Sequence, residues 1–196
     1  MKQNLLSKHL TKSILSAIIL VALVSGRAFA QQAKTDSTKM NPTAAPSTLA
    51  PKTYPRAVGY LSFIVPVVTL DKNATTWNFN GTTKIGFPVG VNILYSDRFG
   101  FSYEFTPTIT ATKASSKVSN LLLDPGTMFR FDHGFTIITR LAFETAGRYG
   151  FTPVFNQVYA RTKYVNYFIA GSLPARFGNG APASIGFNVQ FGFTFN

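Results

Sequence analysis

The 196-residue chain contains no cysteine. That excludes disulfides, thiolate metal centres and a lipid-modified N-terminal cysteine, so an exported form of this protein has no covalent staple. Charge is also scarce, with only 13% of residues Asp, Glu, Lys or Arg. Past residue 30 there is a single histidine, His133, and no His/Asp/Glu cluster with metal-ligand spacing. No segment after residue 57 repeats its apolar residues with a helical period of 3.6. Long apolar runs are missing except for Ile14 to Val24, too short for the about 20 residues of a membrane-spanning helix.

The opening "MKQNLLSKHLTKSILSAIILVALVSGRAFA" supplies lysines, an apolar run and then Ala28-Phe29-Ala30. This is the order of a secretory signal, assigned to residues 1–30 and cleaved after Ala30. Residues 31–56 carry Pro42, Pro46, Pro51 and Pro55 among Thr, Ala and Lys, with no aromatic before Tyr54. Such a segment cannot bury enough surface to offset its ordering entropy and reads as a flexible periplasmic tail. About 140 residues, 57–196, remain for one domain. Removing Lys2, Lys8, Lys12 and Arg27 with the signal leaves 15 basic against 7 acidic residues. They are scattered and not interleaved with aromatics on one face, which argues against a nucleic-acid partner.

What the domain does have is alternation. From Ile85 to Ile109 the odd positions are apolar, with Asp97 the one break, while the even ones are mainly Gly, Ser, Thr, Asn and single charges. The same period of two runs through 118–131, 135–145, 163–177 and 183–196. A period of two marks strands. With a blurred first strand at 58–70 and a weaker one at 151–160, the expected fold is all-β: an antiparallel up-and-down barrel of eight strands. The segment 71–83 is expected to be its one sizeable loop.

Alternation alone does not say which face points outward. A water-facing wall usually carries about 25–35% charged residues, whereas here the polar face is made of small neutral side chains. Tyr95, Phe99, Phe101, Phe129, Phe131, Phe135, Tyr159, Tyr164, Phe191, Phe193 and Phe195 cluster near strand ends on one side, as an interfacial aromatic girdle would. Pro66, Pro88, Pro107, Pro153, Pro174 and Pro182 fall toward the opposite strand ends, while Pro125 is expected at a bulge. The apolar face is therefore expected to meet lipid, since a closed barrel satisfies every backbone group without water.

Signal, Pro/Thr tail, about eight alternating strands and the closing "FNVQFGFTFN" together resemble the small outer-membrane β-barrels of Gram-negative bacteria across residues 57–196. The resemblance implies an outer-membrane location, contact with the bilayer and lipopolysaccharide, and a C-terminal strand read by the insertion machinery. In that family the last residue is usually aromatic; here Phe195 is penultimate to Asn196.

Within the lumen, Glu104, Asp124 and Arg140 share inward parity near mid-strand, with Arg130 lower and Glu144 higher. This charge cluster is read either as a plug that fixes register or as a gate. Lys72, Lys113, Lys117, Arg148 and Arg176 are placed at the extracellular ends, within reach of lipopolysaccharide phosphates. Asp132-His133-Gly134 suits a tight turn better than a catalytic pair. The expectation is a non-enzymatic envelope barrel with a structural or interaction role, without cofactor or metal. The alternatives are a narrow, porin-like path for small or amphipathic solutes and, more remotely, a soluble periplasmic ligand-binding barrel.

Overall fold

The computed structural model describes residues 53–195, so the signal and most of the tail assigned from sequence lie outside the described residues. Eleven strand segments join into eight staves of one closed antiparallel sheet. The first, β1, is Arg56–Asp71. Stave β2 runs in three pieces, Thr75–Trp77, Thr82–Gly86 and Val89–Leu94. Then come β3 (Phe99–Thr112), β4 (Ser116–Arg130), β5 (Phe135–Glu144) and β6 (Tyr149–Arg161). Stave β7 is Val165–Ser172 continued by Ala175–Phe177, and β8 is Ser184–Phe195.

Each stave pairs with its sequence neighbour, and β8 returns to β1 from Tyr60↔Thr194 to Asp71↔Ser184. Closure leaves a single short sheet edge among the described residues, at Thr75–Trp77, which pairs with β1 alone. The weaker strand expected at 151–160 is a full stave, paired on one side with β5 and on the other with β7. Arg56, counted with the tail from sequence, already belongs to β1.

The segment 71–83 is not one loop. Thr75–Trp77 pairs with Val68–Leu70 and extends the wall. Beyond it Asn78 Nδ2 donates to Lys84 O at 2.9 Å, and Asn78 Oδ1 accepts from Lys84 N at 2.8 Å. The side chain thereby spans a loop in which Phe79 and Gly81 take positive φ of 68° and 78°.

The prolines behave differently from expectation. Pro88 and Pro174 sit in the gaps that divide β2 and β7, away from the strand ends. Their carbonyls still serve the ladder, Pro88 O accepting from Ser62 N and Pro174 O from Gly186 N. At Pro66 the register with β8 shifts. At Pro125 there is no bulge: Leu123↔Phe143 and Gly126↔Arg140 keep one register, with no ladder pair at the two rungs between them. Proline has no N–H to donate, which accounts for a lapse at its own rung.

Burial is inverted relative to a water-soluble barrel. Phe63, Tyr103, Leu123, Leu141 and Phe155 stand 44–56% exposed on the outer wall, while Ser102, Thr106, Asp124, Arg140 and Gln190 are 0–3% exposed inside. Staves β1, β3 and β4, of 16, 14 and 15 residues, exceed the 9–11 or so that cross a bilayer. Water-soluble monomers rarely expose contiguous apolar surface on this scale, and rarely bury charges beneath it. The fold is a membrane-spanning antiparallel β-barrel.

Candidate functional site: a polar septum dividing the lumen

The barrel has two ends. Arg56, Phe195 and the turns after β2, β4 and β6 share the terminal end; the turns after β1, β3, β5 and β7 share the loop end. Between them, inward side chains build a septum on paired rungs. Tyr60 faces Gly90 across β1–β2, Gly90 faces Glu104 across β2–β3, and Glu104 faces Asp124 across β3–β4. A side chain on residue 90 would collide with the Tyr60 ring, so glycine is what lets that ring lie flat across the lumen.

Glu104 is the hub. Its Oε2 lies 2.9 Å from Arg140 Nη1 and accepts from the Tyr60 hydroxyl at 2.8 Å and Gln190 Nε2 at 3.4 Å. Its Oε1 accepts from Thr106 Oγ1 at 3.1 Å. Arg140 donates onward from Nη2 to Tyr60 Oη at 3.0 Å and Ser102 Oγ at 3.1 Å, with its guanidinium 6.0 Å from the Tyr60 ring centre. Gln190 Nε2 completes the network at Ser62 Oγ, 2.8 Å away. Four side chains from β1, β3, β5 and β8 thus converge on one buried carboxylate, and Ser102 and Ser62 hold two of them from behind. A buried charge needs this degree of pairing to be tolerated.

A second bridge lies toward the loop end, where Arg176 Nε meets Glu144 Oε1 at 2.7 Å. Arg176 Nη1 also donates to Phe151 O, Thr152 Oγ1 and Ala175 O, tying the broken stave β7 to β6. Arg148 donates to Arg176 O, Pro182 O and Ser184 Oγ. Both glutamates of the chain are therefore consumed by lumen bridges.

The sequence-derived cluster is thus split. Glu104 and Arg140 meet as expected. Asp124 is 3% exposed on the adjacent rung but makes no ion pair there, and its Oδ1 has no partner among the described residues. Glu144 pairs with Arg176 and not with the septum. Arg130 is half-buried at the terminal mouth, beside Asp132 and His133. Arg148 and Arg176, placed from sequence among the extracellular loop charges, turn into the lumen wall. The missed signal is their parity: Arg176 continues the inward series of Ala170 and Ser172, all buried.

Two cavities, of about 640 and 510 Å³, occupy the terminal and loop halves of the lumen. Arg140, Val154 and Gln190 face both, which places the septum between them. His133 lies in the exposed turn Asp132–Gly134 with φ 62°, as a polar turn residue. Among the described residues no group of three or more His, Cys, Asp or Glu could hold a metal.

Outside, most of the aromatic residues expected at one interface lie around the terminal end, while Phe191 is at mid-wall beside the septum residue Gln190. Tyr95, Phe99, Phe101 and Phe129 form a chain of ring contacts, Phe131 packs on Phe135, and Tyr159 meets Tyr167, which leads to Phe193 and Phe195. Tyr164 lies beneath Lys163 in the β6–β7 turn, and Phe191 sits opposite Phe63. A second band was not anticipated: Tyr149, Phe151 and Phe177 pack together toward the loop end.

These features define the class, a membrane β-barrel with a charge-paired, divided lumen. No protein-family model matches the chain. No curated protein matches it either. Solved structures of similar outline include a de novo designed transmembrane β-barrel, 8% identical, with 73% of this chain and 97% of that one covered and a TM-score of 0.45. The outer-membrane protein OprG from Pseudomonas aeruginosa is 9% identical, with 71% and 94% covered and a TM-score of 0.42. Neither likeness bears on function.

Proposed function

We propose that this protein is an integral β-barrel of a bacterial outer membrane with a structural or interaction role in the envelope, and that it does not conduct in its resting form. The observation that carries this reading is the Glu104–Arg140 bridge with its Tyr60, Ser102, Thr106 and Gln190 partners, which fills mid-lumen with mutually bonded side chains. An eight-stranded barrel has an interior just wide enough to be filled in this way. The outer-membrane assignment is supported by the signal-like opening of the chain and by the closed barrel, the β-architecture that can span a bilayer.

In this reading the protein is not an enzyme: both glutamates are held in bridges to arginine, and His133 lies in an exposed turn. The outward aromatics of β8 would serve recognition by the insertion machinery. Exposed Lys72, Lys113 and Lys117 at the loop end would meet lipopolysaccharide phosphates. Purified protein in planar bilayers should give no unitary steps, while cell fractionation should place it with the outer membrane. Regular steps in the wild-type protein would favour the second reading, a narrow path for small solutes. The specific observation behind that alternative is the pair of cavities that meet at the septum, so that one side-chain movement could join them.

A further inference from the structure

The two chambers differ in chemistry. The loop-end chamber mixes small hydroxyl side chains such as Thr106, Thr108, Ser119 and Ser172 with Ile64, Leu122 and Pro174, and its arginines are held in bonds to the wall. The terminal-end chamber has a floor of Leu94, Met128, Ile138, Val154, Val158 and Phe168, an apolar layer that belongs largely to one buried cluster. Four guanidinium groups stand at its mouth. They come from Arg56 at the start of β1, Arg98 in the β2–β3 turn, Arg130 at the end of β4 and Arg161 at the end of β6.

Topology brings them together, since the start of β1 and these turns share one end. Among the described residues, none of these four side chains makes a hydrogen bond or an ion pair, whereas Arg140, Arg148 and Arg176 all do. Among the described residues lining the chamber, Asp97 and Asp132 are the carboxylates that oppose them. Asp97 is itself bonded to the Tyr54 hydroxyl.

We propose that the terminal-end chamber binds a small amphipathic anion, a carboxylate or phosphate monoester carrying a short alkyl or aryl body. The guanidinium fork matches either head group. The apolar floor suits the body, and the chamber of about 640 Å³ falls in the range of small-molecule sites. The chain's own preceding segment is a poor occupant: residues 31–52 carry Lys34, Lys39 and Lys52 against Asp36, the same sign as the rim. The inference rests on the membrane-barrel reading but not on whether the lumen conducts.

The test is calorimetric titration of octanoate into full-length protein in phosphatidylcholine nanodiscs, with empty nanodiscs as baseline. Acetate and octyltrimethylammonium serve as controls for the alkyl body and for charge. Saturable octanoate binding is expected, at least tenfold tighter than acetate. Arg130→Gln and Arg56→Gln should each weaken it about tenfold, and Arg98→Gln, in an exposed turn, provides a third variant should either fail to fold. Octanoate heats equal to those of empty nanodiscs, equal binding of the cation, or wild-type affinity in the folded glutamine variants would overturn the proposal. Retarded or advanced gel mobility before boiling reports the barrel itself. A heat-shifting protein without octanoate binding defeats this inference alone, and a protein without the shift defeats the barrel reading.

Discussion

Replacing Arg140 with alanine probes the septum at its strongest point. The side chain is 3% exposed and gives up three contacts at once: Glu104 at 2.9 Å, Tyr60 at 3.0 Å and Ser102 at 3.1 Å. Removing one partner of a buried ion pair costs about 3–5 kcal/mol, chiefly because the other charge stays buried. Glu104 would still accept from Tyr60, Thr106 and Gln190, which holds the loss at the lower end. Against that, Asp124 faces Glu104 on the neighbouring rung, and like charges directly opposite add up to about 1 kcal/mol. The expected loss is about 3–4 kcal/mol. It is readable as a lowered urea midpoint in lipid vesicles, with Trp77, the sole tryptophan, as fluorophore. The same preparation should acquire unitary conductance, because the guanidinium that faces both cavities is gone. The double variant Glu104→Gln/Arg140→Met removes both charges of the bridge together and should recover at least half of the lost stability. A loss below about 1 kcal/mol for the single variant, the value of an exposed pair, would refute the reasoning.

Two further changes test the wall. Gly90→Ala places a methyl group against the Tyr60 ring, so the ring and its hydrogen bonds to the septum must shift. The expected cost is about 1–3 kcal/mol in the same urea titration, with conductance appearing in parallel. Leu141→Arg sets a charge on the outer wall beside the septum residue Arg140, where Leu141 is 56% exposed. It should cost about 2–4 kcal/mol in lipid, while Tyr164→Arg in the β6–β7 turn should cost about 0–1 kcal/mol. Equal effects of the two would mean that the outer wall does not face hydrocarbon.

The strands were legible because their period of two is enforced on every rung by lipid on one side and a narrow lumen on the other. Inward parity also singled out Glu104, Asp124 and Arg140. Partner choice was not legible, since parity gives a side and no level. Glu144 turned to Arg176 because the broken stave β7 brings Ala175–Phe177 beside Tyr149–Phe151, a placement set by the gap at Pro174. The prolines misled for a related reason. Pro88 and Pro174 interrupt staves at mid-wall while their carbonyls keep accepting from the neighbouring staves. Asn78 hid the continuation of β2 because a side-chain amide stands in for backbone pairing there.

The claim that the apolar face meets lipid and the polar face lines a lumen is tested most directly by a cysteine scan of β5. The natural chain, without any cysteine, is already the background it needs. Single cysteines from Thr136 to Phe143 would carry a bimane label in vesicles containing brominated lipid. The account predicts quenching that alternates: strong at Ile137, Thr139, Leu141 and Phe143, and weak at Thr136, Ile138, Arg140 and Ala142. Inverted alternation, or uniform quenching along the stave, would contradict it.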